Sequence, residues 1–346
     1  MSWLPDDDGD EVWSEYEETV RDRPNPKANR PRSKTRPEHA DAVTGRVVSV
    51  DRGRFGVLVA EDTPEERSVT AARARELGRA GIVSGDRVHL VGDTSGTEGS
   101  LARIVRVDDR TTLLRRSADD TDSVERIIVA NADQMLIVVA AANPEPRPRL
   151  IDRYLVAAFD AGITPILCVT KTDLADPSDF LAEFSILDLD IITSRSDAPP
   201  LAELTSRLIG HTTVAVGHSG VGKSTLVNAL VPEAHRATGV VNVVTGRGRH
   251  TSSSTVSLRM RGDDGRSGWI IDTPGVRSFG LGHVNPANIL QSFASLAITP
   301  GGPPPGEVPL AEAHDWEIIE RVEGGELGEV GQRRMESLKS LLHTLG

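Results

Sequence analysis

The stretch Val214-Ala215-Val216-Gly217-His218-Ser219-Gly220-Val221-Gly222-Lys223-Ser224-Thr225 constrains the fold of this chain more than any other. It reads Gly-x-x-x-x-Gly-Lys-Ser. An apolar run at 213–216 precedes it. A helical pattern through Thr225, Leu226, Val227, Ala229 and Leu230 follows. Strand, glycine loop and helix in that order predict a phosphate-binding loop, because glycines let the backbone turn its N–H groups inward onto a phosphate chain. Lys223 then reaches the β and γ phosphates, and the Ser224 hydroxyl ligates Mg²⁺. The expected nucleotide-contacting residues are Gly217, His218, Ser219, Gly220, Val221, Gly222, Lys223, Ser224 and Thr225. The bland alternative is a surface turn that matches by chance, and the flanking strand and helix weigh against it.

Composition limits what can surround this loop. With 346 residues the chain predicts two or three domains. Its single cysteine, Cys168, excludes an internal disulfide and a cysteine-rich zinc site. Cys168 sits in an apolar run at 166–169 and reads as a small buried hydrophobe. No stretch approaches the length of a membrane span, and the acidic N-terminus lacks a signal-peptide pattern. A soluble cytoplasmic protein without membrane partners is expected, with a monomer as the default. The net charge of -12 argues against a generally basic nucleic-acid binder, although the charge is unevenly spread.

Residues 1–41 predict a disordered charged tail. Acidic positions from Asp6 to Glu18 give way to Arg21, Arg23, Lys27, Arg30, Arg32, Lys34 and Arg36, broken by four prolines. There is little apolar surface to offset ordering entropy. The tail reads equally as a solvated segment and as an arm for phosphate backbones. Residues 42–117 predict a small β-barrel of the OB type, with short strands and glycine turns. Arg46, Arg52, Arg54, Arg87, Arg103, Arg106, Arg110, Arg115 and Arg116 are read as exposed on it. Such a face binds RNA in some OB barrels and is merely solvated in others.

Residues 118–280 alternate strands and helices. Strands are expected at 134–141, 163–170, 190–193, 213–216 and 269–272, with helices at 150–161, after Pro177 and at 201–208. This is a parallel sheet with crossover helices. Residues 281–346 predict a small helical unit, with periodic patterns at 286–296, 310–322 and 330–345.

Two further motifs point to a guanine nucleotide. Thr170-Lys171-Thr172-Asp173 follows a strand and fits Asn/Thr-Lys-x-Asp. The Asp173 carboxylate accepts two hydrogen bonds from the guanine edge, where adenine offers no matching donors. Asp272-Thr273-Pro274-Gly275 also follows a strand. An Asp at such a place holds Mg²⁺, and the Gly275 N–H senses the γ-phosphate. Between phosphate loop and Asp272 lies a hydroxyl-rich loop, 246–254. Thr251 is the first candidate there for the Mg²⁺ shell and Ser252 the second. The guanine motif precedes the phosphate loop, the reverse of the ordinary GTPase order, so the domain is circularly permuted. Compact domains tolerate this because their termini lie close together.

An OB-type barrel, a permuted GTPase core and a small C-terminal unit together resemble the ribosome small-subunit-dependent GTPase A family. The resemblance is carried by Arg110-Thr111-Thr112-Leu113-Leu114-Arg115-Arg116, Ile151-Asp152-Arg153-Tyr154-Leu155, the phosphate loop, Gly248-Arg249-His250-Thr251 and Asp272-Thr273-Pro274-Gly275. It covers roughly residues 42–345. It implies a cytoplasmic GTPase that uses GTP, GDP and Mg²⁺, binds the small ribosomal subunit and its rRNA, and couples hydrolysis to late maturation of that subunit. Two departures stand out. The family's C-terminal zinc site uses three cysteines and a histidine, and no cysteine follows Cys168, so no zinc is expected. His283 and His314 read as ordinary surface histidines. The guanine-ring loop, usually Ser-Ala, is Ser194-Arg195 here; Ser194 still offers its backbone.

Val276 stands where many GTPases place a water-orienting Gln, which predicts slow intrinsic hydrolysis. The resemblance implies His250 as the residue that positions the water; a solvated loop histidine is the alternative. Lys223, His250 and Gly275 are thus the expected catalytic set. A reading of a different class is a nucleotide-gated RNA-binding module with little turnover. An ATP-dependent phosphotransferase is disfavoured by Asp173.

Overall fold

The structure is a computed structural model. It describes residues 39–51, 53–78, 81–117, 125–184, 187, 189–232, 255–262, 264–273, 279, 284, 319, 322–326 and 328–343. The charged tail to residue 38, Arg52, and most of the expected helical patterns at 286–296 and 310–322 lie outside these.

Five strands close into a barrel: β1 (Val43–Asp51), β2 (Arg54–Val59), β3 (Arg67–Arg73), β4 (Arg87–Gly92) and β5 (Ala102–Val107). Their order is β1-β2-β3-β5-β4, and β4 pairs back onto β1. Only β3 and β5 run parallel. Closure removes the exposed edges. A register shift between Val47 and Ser49 lets β1 bend to serve two neighbours. Inward-facing Val47, Val57, Val59, Val69, Val88, Leu90 and Ile104 fill the interior, as a period of two requires. This is consistent with the OB-type barrel expected.

The arginines expected on its surface divide. Arg54, Arg87, Arg103, Arg106 and Arg116 are exposed. Arg46 is not: it is buried and pairs with Glu61 at 3.2 Å. Arg110 is half-buried, its Nε 2.7 Å and its Nη2 2.8 Å from the carboxylate of fully buried Asp86. Arg115 is half-buried as well. Arg46 and Arg110 are buried or half-buried against a carboxylate that compensates their charge, and the sequence does not say which arginines have such a partner inside the fold.

A hairpin of β6 (Leu113–Ser117) and β7 (Glu125–Ala130) follows, spanning the expected boundary at residue 117. The chain then enters the α/β layer through β8 (Gln134–Ala140), α1 (Pro148–Asp160), β9 (Thr164–Thr170), α2 (Ser178–Phe184), β10 (Asp190–Thr193), α3 (Leu201–Leu208), β11 (Thr212–Val216), α4 (Lys223–Leu230), β12 (Val256–Arg261) and β13 (Ser267–Asp272). The sheet order is β10-β9-β8-β11-β13-β12. All neighbours are parallel except β12 and β13. β12 lies outside the strands expected from the sequence: Val256–Arg261 alternates apolar residues with Ser257, Arg259 and Arg261 and has no motif at its end. One bridge, Ser49 to Val256, joins β12 to the barrel strand β1.

β8 is buried along its whole length because it is covered on both faces. Met135, Ile137 and Val139 face one apolar cluster with Tyr154 and Leu155 of α1. Leu136, Val138 and Ala140 face another with Leu204 and Leu208 of α3 and Leu226 and Val227 of α4. Cys168 lies in the second, its thiol pushed up to about 12 by burial and by the charge of Glu203, which leaves it inert. A last helix, α5 (Gly328–His343), sends Met335, Leu338, Leu341 and Leu342 into the first cluster. Phe279 sits there too, edge-on to Tyr154 at 5.7 Å, and its carbonyl accepts from Arg153 at 3.4 Å.

Candidate nucleotide site

The loops that follow β9 and β11 meet at the carboxyl ends of the parallel strands, beside the end of β13 at Asp272. The chain runs outward from β8 to β10 and then returns to β11 on the other side of β8. Ligands of open α/β sheets bind at such a reversal.

The loop between β11 and α4 is built as its glycines require. Gly220 and Gly222 have φ of 84° and 93°, in the left-handed region. Gly217 lies so close to β8 that a Cβ there would stand 2.4 Å from the Val138 carbonyl oxygen. Gly222 caps α4, whose first residue is Lys223. Free N–H groups and the positive end of the helix dipole thus point to where a phosphate would lie. The Lys223 ammonium is ion-paired with the Asp272 carboxylate from the end of β13. Ser224 and Thr225 are exposed in the first turn of α4. His218 and Ser219 lie in the loop, His218 Nδ1 being 2.9 Å from the Ser219 carbonyl. Val221 turns inward, 4% exposed, and packs with Leu226 and Val227.

The end of β9 is fastened to this loop. The buried Thr170 hydroxyl is 2.5 Å from the Val221 carbonyl and 3.0 Å from that of Val139. Lys171 has a φ of 58°, and its ammonium donates to the carbonyls of Gly220, at 2.8 Å, and Asn143. The motif expected to read a base therefore also holds the phosphate loop in shape. Asp173 is exposed, and its Oδ1 accepts the Ser196 N–H at 2.7 Å. That backbone bond, with help from Arg195, holds its carboxyl below the usual range and keeps it an acceptor. Ser194 is 4% exposed and its N–H bonds the Val169 carbonyl at 2.8 Å. Arg195, the departure from Ser-Ala, turns onto Asp197 with bonds of 2.9 and 3.0 Å.

Two positions carry roles the sequence reading missed. The Thr273 hydroxyl donates to the Ala215 carbonyl at 2.9 Å, pinning the residue after Asp272 to the phosphate-loop strand. Asn143 supplies a second carbonyl to Lys171. The Asp-Thr-Pro spacing hinted at the first; nothing local marks Asn143. His250, Thr251, Ser252, Gly275 and Val276 lie outside the described residues.

Ser224 and Asp272 offer a hydroxyl and a carboxylate beside Lys223. These oxygen donors fit Mg²⁺, which takes one or two protein ligands and completes its shell with phosphate and water. Among the described residues no group of three or more His, Cys, Asp or Glu could hold a metal unaided.

A family model described as RsgA GTPase matches residues 107–282. The small ribosomal subunit biogenesis GTPase RsgA of Pseudomonas syringae pv. syringae (strain B728a) is 37% identical over 314 residues, covering 87% of this chain and 85% of that protein. RsgA 1 of Vibrio vulnificus (strain YJ016), similarly named, is 33% identical over 284 residues, covering 80% and 78%. The crystal structure of YjeQ from Thermotoga maritima superposes with a TM-score of 0.59 at 24% identity, over 88% of this chain and 98% of that one. YloQ, described as a circularly permuted GTPase, superposes with a TM-score of 0.59 at 21% identity, over 89% and 97%. The permuted strand order is therefore shared with solved structures, and the sequence match runs through barrel and core alike. On these grounds the chain belongs to the RsgA GTPase family.

Proposed function

We propose that this protein hydrolyses GTP to GDP and phosphate on the small ribosomal subunit and couples that reaction to late maturation of the subunit. The observation that carries the reading is the fastening of the base-reading loop to the phosphate loop through Thr170 and Lys171, beside the Lys223–Asp272 pair. Asp173 selects guanine, with the Ser194 backbone beside it. Residues 217–225 cradle the phosphates, and Lys223 stabilises charge on the transferred group. Ser224, Asp272 and Thr251 are the residues that would hold Mg²⁺, which neutralises phosphate charge when bound. Gly275 senses the γ-phosphate and His250 orients the attacking water on the subunit.

The domains proposed are an OB-type barrel at 42–117, a permuted GTPase core at 118–280 and a zinc-free helical unit at 281–346, after a charged tail at 1–41. The exposed Arg54, Arg103, Arg106 and Arg116 suit rRNA phosphates. The protein works in the cytoplasm as a monomer. No helix among the described residues is long and apolar enough to cross a membrane.

The test is turnover of GTP and ATP with and without purified small subunits. Strong stimulation of GTP hydrolysis alone, lost in Lys223→Ala, is expected. Nucleotide-dependent docking without stimulated turnover would replace this reading with the RNA-binding module. Unaltered hydrolysis by Lys223→Ala would remove the phosphate loop from the mechanism.

A further inference from the structure

Where the barrel meets the GTPase sheet, a group of charged side chains surrounds Trp269, which is 6% exposed. The Trp269 indole N–H donates to Glu61 Oε1 at 2.6 Å. Glu61 Oε2 takes Arg46 at 3.2 Å and Arg87 at 2.9 Å. The guanidinium groups of Arg46 and Arg259 lie over the indole, 5.2 and 5.7 Å from its centre. Arg259, beside Trp269 on β12, also reaches the barrel turn through Glu66 at 2.5 Å and through Asp62. Asp62 accepts from Ser267 at 3.1 Å. Arg46 spans further, donating to the Thr212 hydroxyl at 3.3 Å.

Side chains alternate along a strand, so Ser267 and Trp269 share one face of β13 while Asp272 lies on the other. The barrel grips the first face. The second presents Asp272 to Lys223. Trp269 and Asp272 are three residues apart, about 10 Å along the strand. Thr212, which opens β11, and Trp269, inside β13, are also register partners, on the two strands that end in the phosphate loop and in Asp272. We propose that Glu61, Arg46 and Arg259 are positioning residues for the nucleotide site: by clamping Trp269 they set where β13 presents the Asp272 carboxylate. The clamp rests on the GTPase reading and adds to it a role for the barrel beyond docking.

The charges suit a fixed clamp. Side-chain exposures are 10% for Arg46, 14% for Glu61 and 12% for Arg259. Removing one partner from such a partly dry group strands the others. Residues that orient a metal ligand act on metal affinity, and their loss typically costs about 10- to 100-fold.

The test uses the full chain and a fluorescent GDP analogue, comparing its release with and without Mg²⁺ in wild type, Glu61→Ala, Glu61→Gln and Trp269→Phe. Without Mg²⁺, all should release it within about twofold of wild type, because the guanine contacts are untouched. The slowing of release by Mg²⁺ should weaken about tenfold in Glu61→Ala. Glu61→Gln keeps an acceptor for the indole N–H and should recover most of it. Trp269→Phe keeps an aromatic ring but loses the N–H and should fall between; it carries the comparison if Glu61→Ala does not fold. Unchanged Mg²⁺ dependence in folded variants would overturn the proposal, as would equal loss of affinity with and without Mg²⁺. A wild-type protein that does not hold the GDP analogue at all would instead overturn the nucleotide reading, and the clamp with it.

Discussion

Thr170→Val is the sharpest probe of how the site is assembled. Valine has nearly the shape of threonine, so packing in a pocket where Thr170 is 6% exposed is kept. What is lost is one hydroxyl donor, 2.5 Å from the Val221 carbonyl inside the phosphate loop and 3.0 Å from that of Val139. A buried acceptor left without its donor costs about 1–3 kcal/mol. If the whole cost falls on the loop geometry that binds phosphate, GTP affinity drops roughly 5- to 140-fold, at tenfold per 1.4 kcal/mol. The proposed base contact is Asp173, which the substitution leaves alone, so the preference for GTP over xanthosine triphosphate should not move. Calorimetric titration of both nucleotides into folded Thr170→Val measures the two effects separately. Wild-type GTP affinity would refute the fastening role of Thr170. A changed base preference with preserved affinity would refute the division of labour between Thr170 and Asp173.

The remaining predictions follow from the same geometry. Asp173→Asn exchanges an acceptor for a donor at the guanine edge and should shift preference from GTP toward xanthosine triphosphate, seen in competition binding; unchanged selectivity would dismiss the guanine assignment. Gly217→Ala places a methyl 2.4 Å from the Val138 carbonyl, and the resulting backbone shift should weaken nucleotide binding by about 1–3 kcal/mol in equilibrium binding. Burial, with the charge of Glu183 added, raises Asp152 from 3.8 to about 6. The folded state thus holds that proton more tightly than the unfolded chain does. The penalty is complete above about pH 6 and is relieved as pH falls through 6 toward 3.8. Asp152→Asn should therefore raise the melting temperature at about pH 8 and lose most of that gain by about pH 4; a gain independent of pH would show that its carboxylate is not the cause.

The sequence by itself determined the elements that depend on neighbours along the chain. The phosphate loop is legible because its glycines and Lys223 act within eight residues, from Gly217 to Ser224. The strands of the sheet are legible because burial on both faces forces unbroken apolar runs such as 135–139. The permutation follows from motif order alone. Tertiary structure decided which charged residues face water. Arg46 reads like Arg54 in sequence, yet it is buried because Glu61, on the next strand's turn, and Trp269, more than two hundred residues away, come to meet it. It decided that Thr170 and Lys171 brace the phosphate loop, since those bonds join β9 to a loop some fifty residues on. It placed β12, which has no motif of its own, between β13 and the barrel. The physical reason is common to all three. Hydrogen bonds and ion pairs between distant segments depend on where the fold brings each partner, and no local pattern records that.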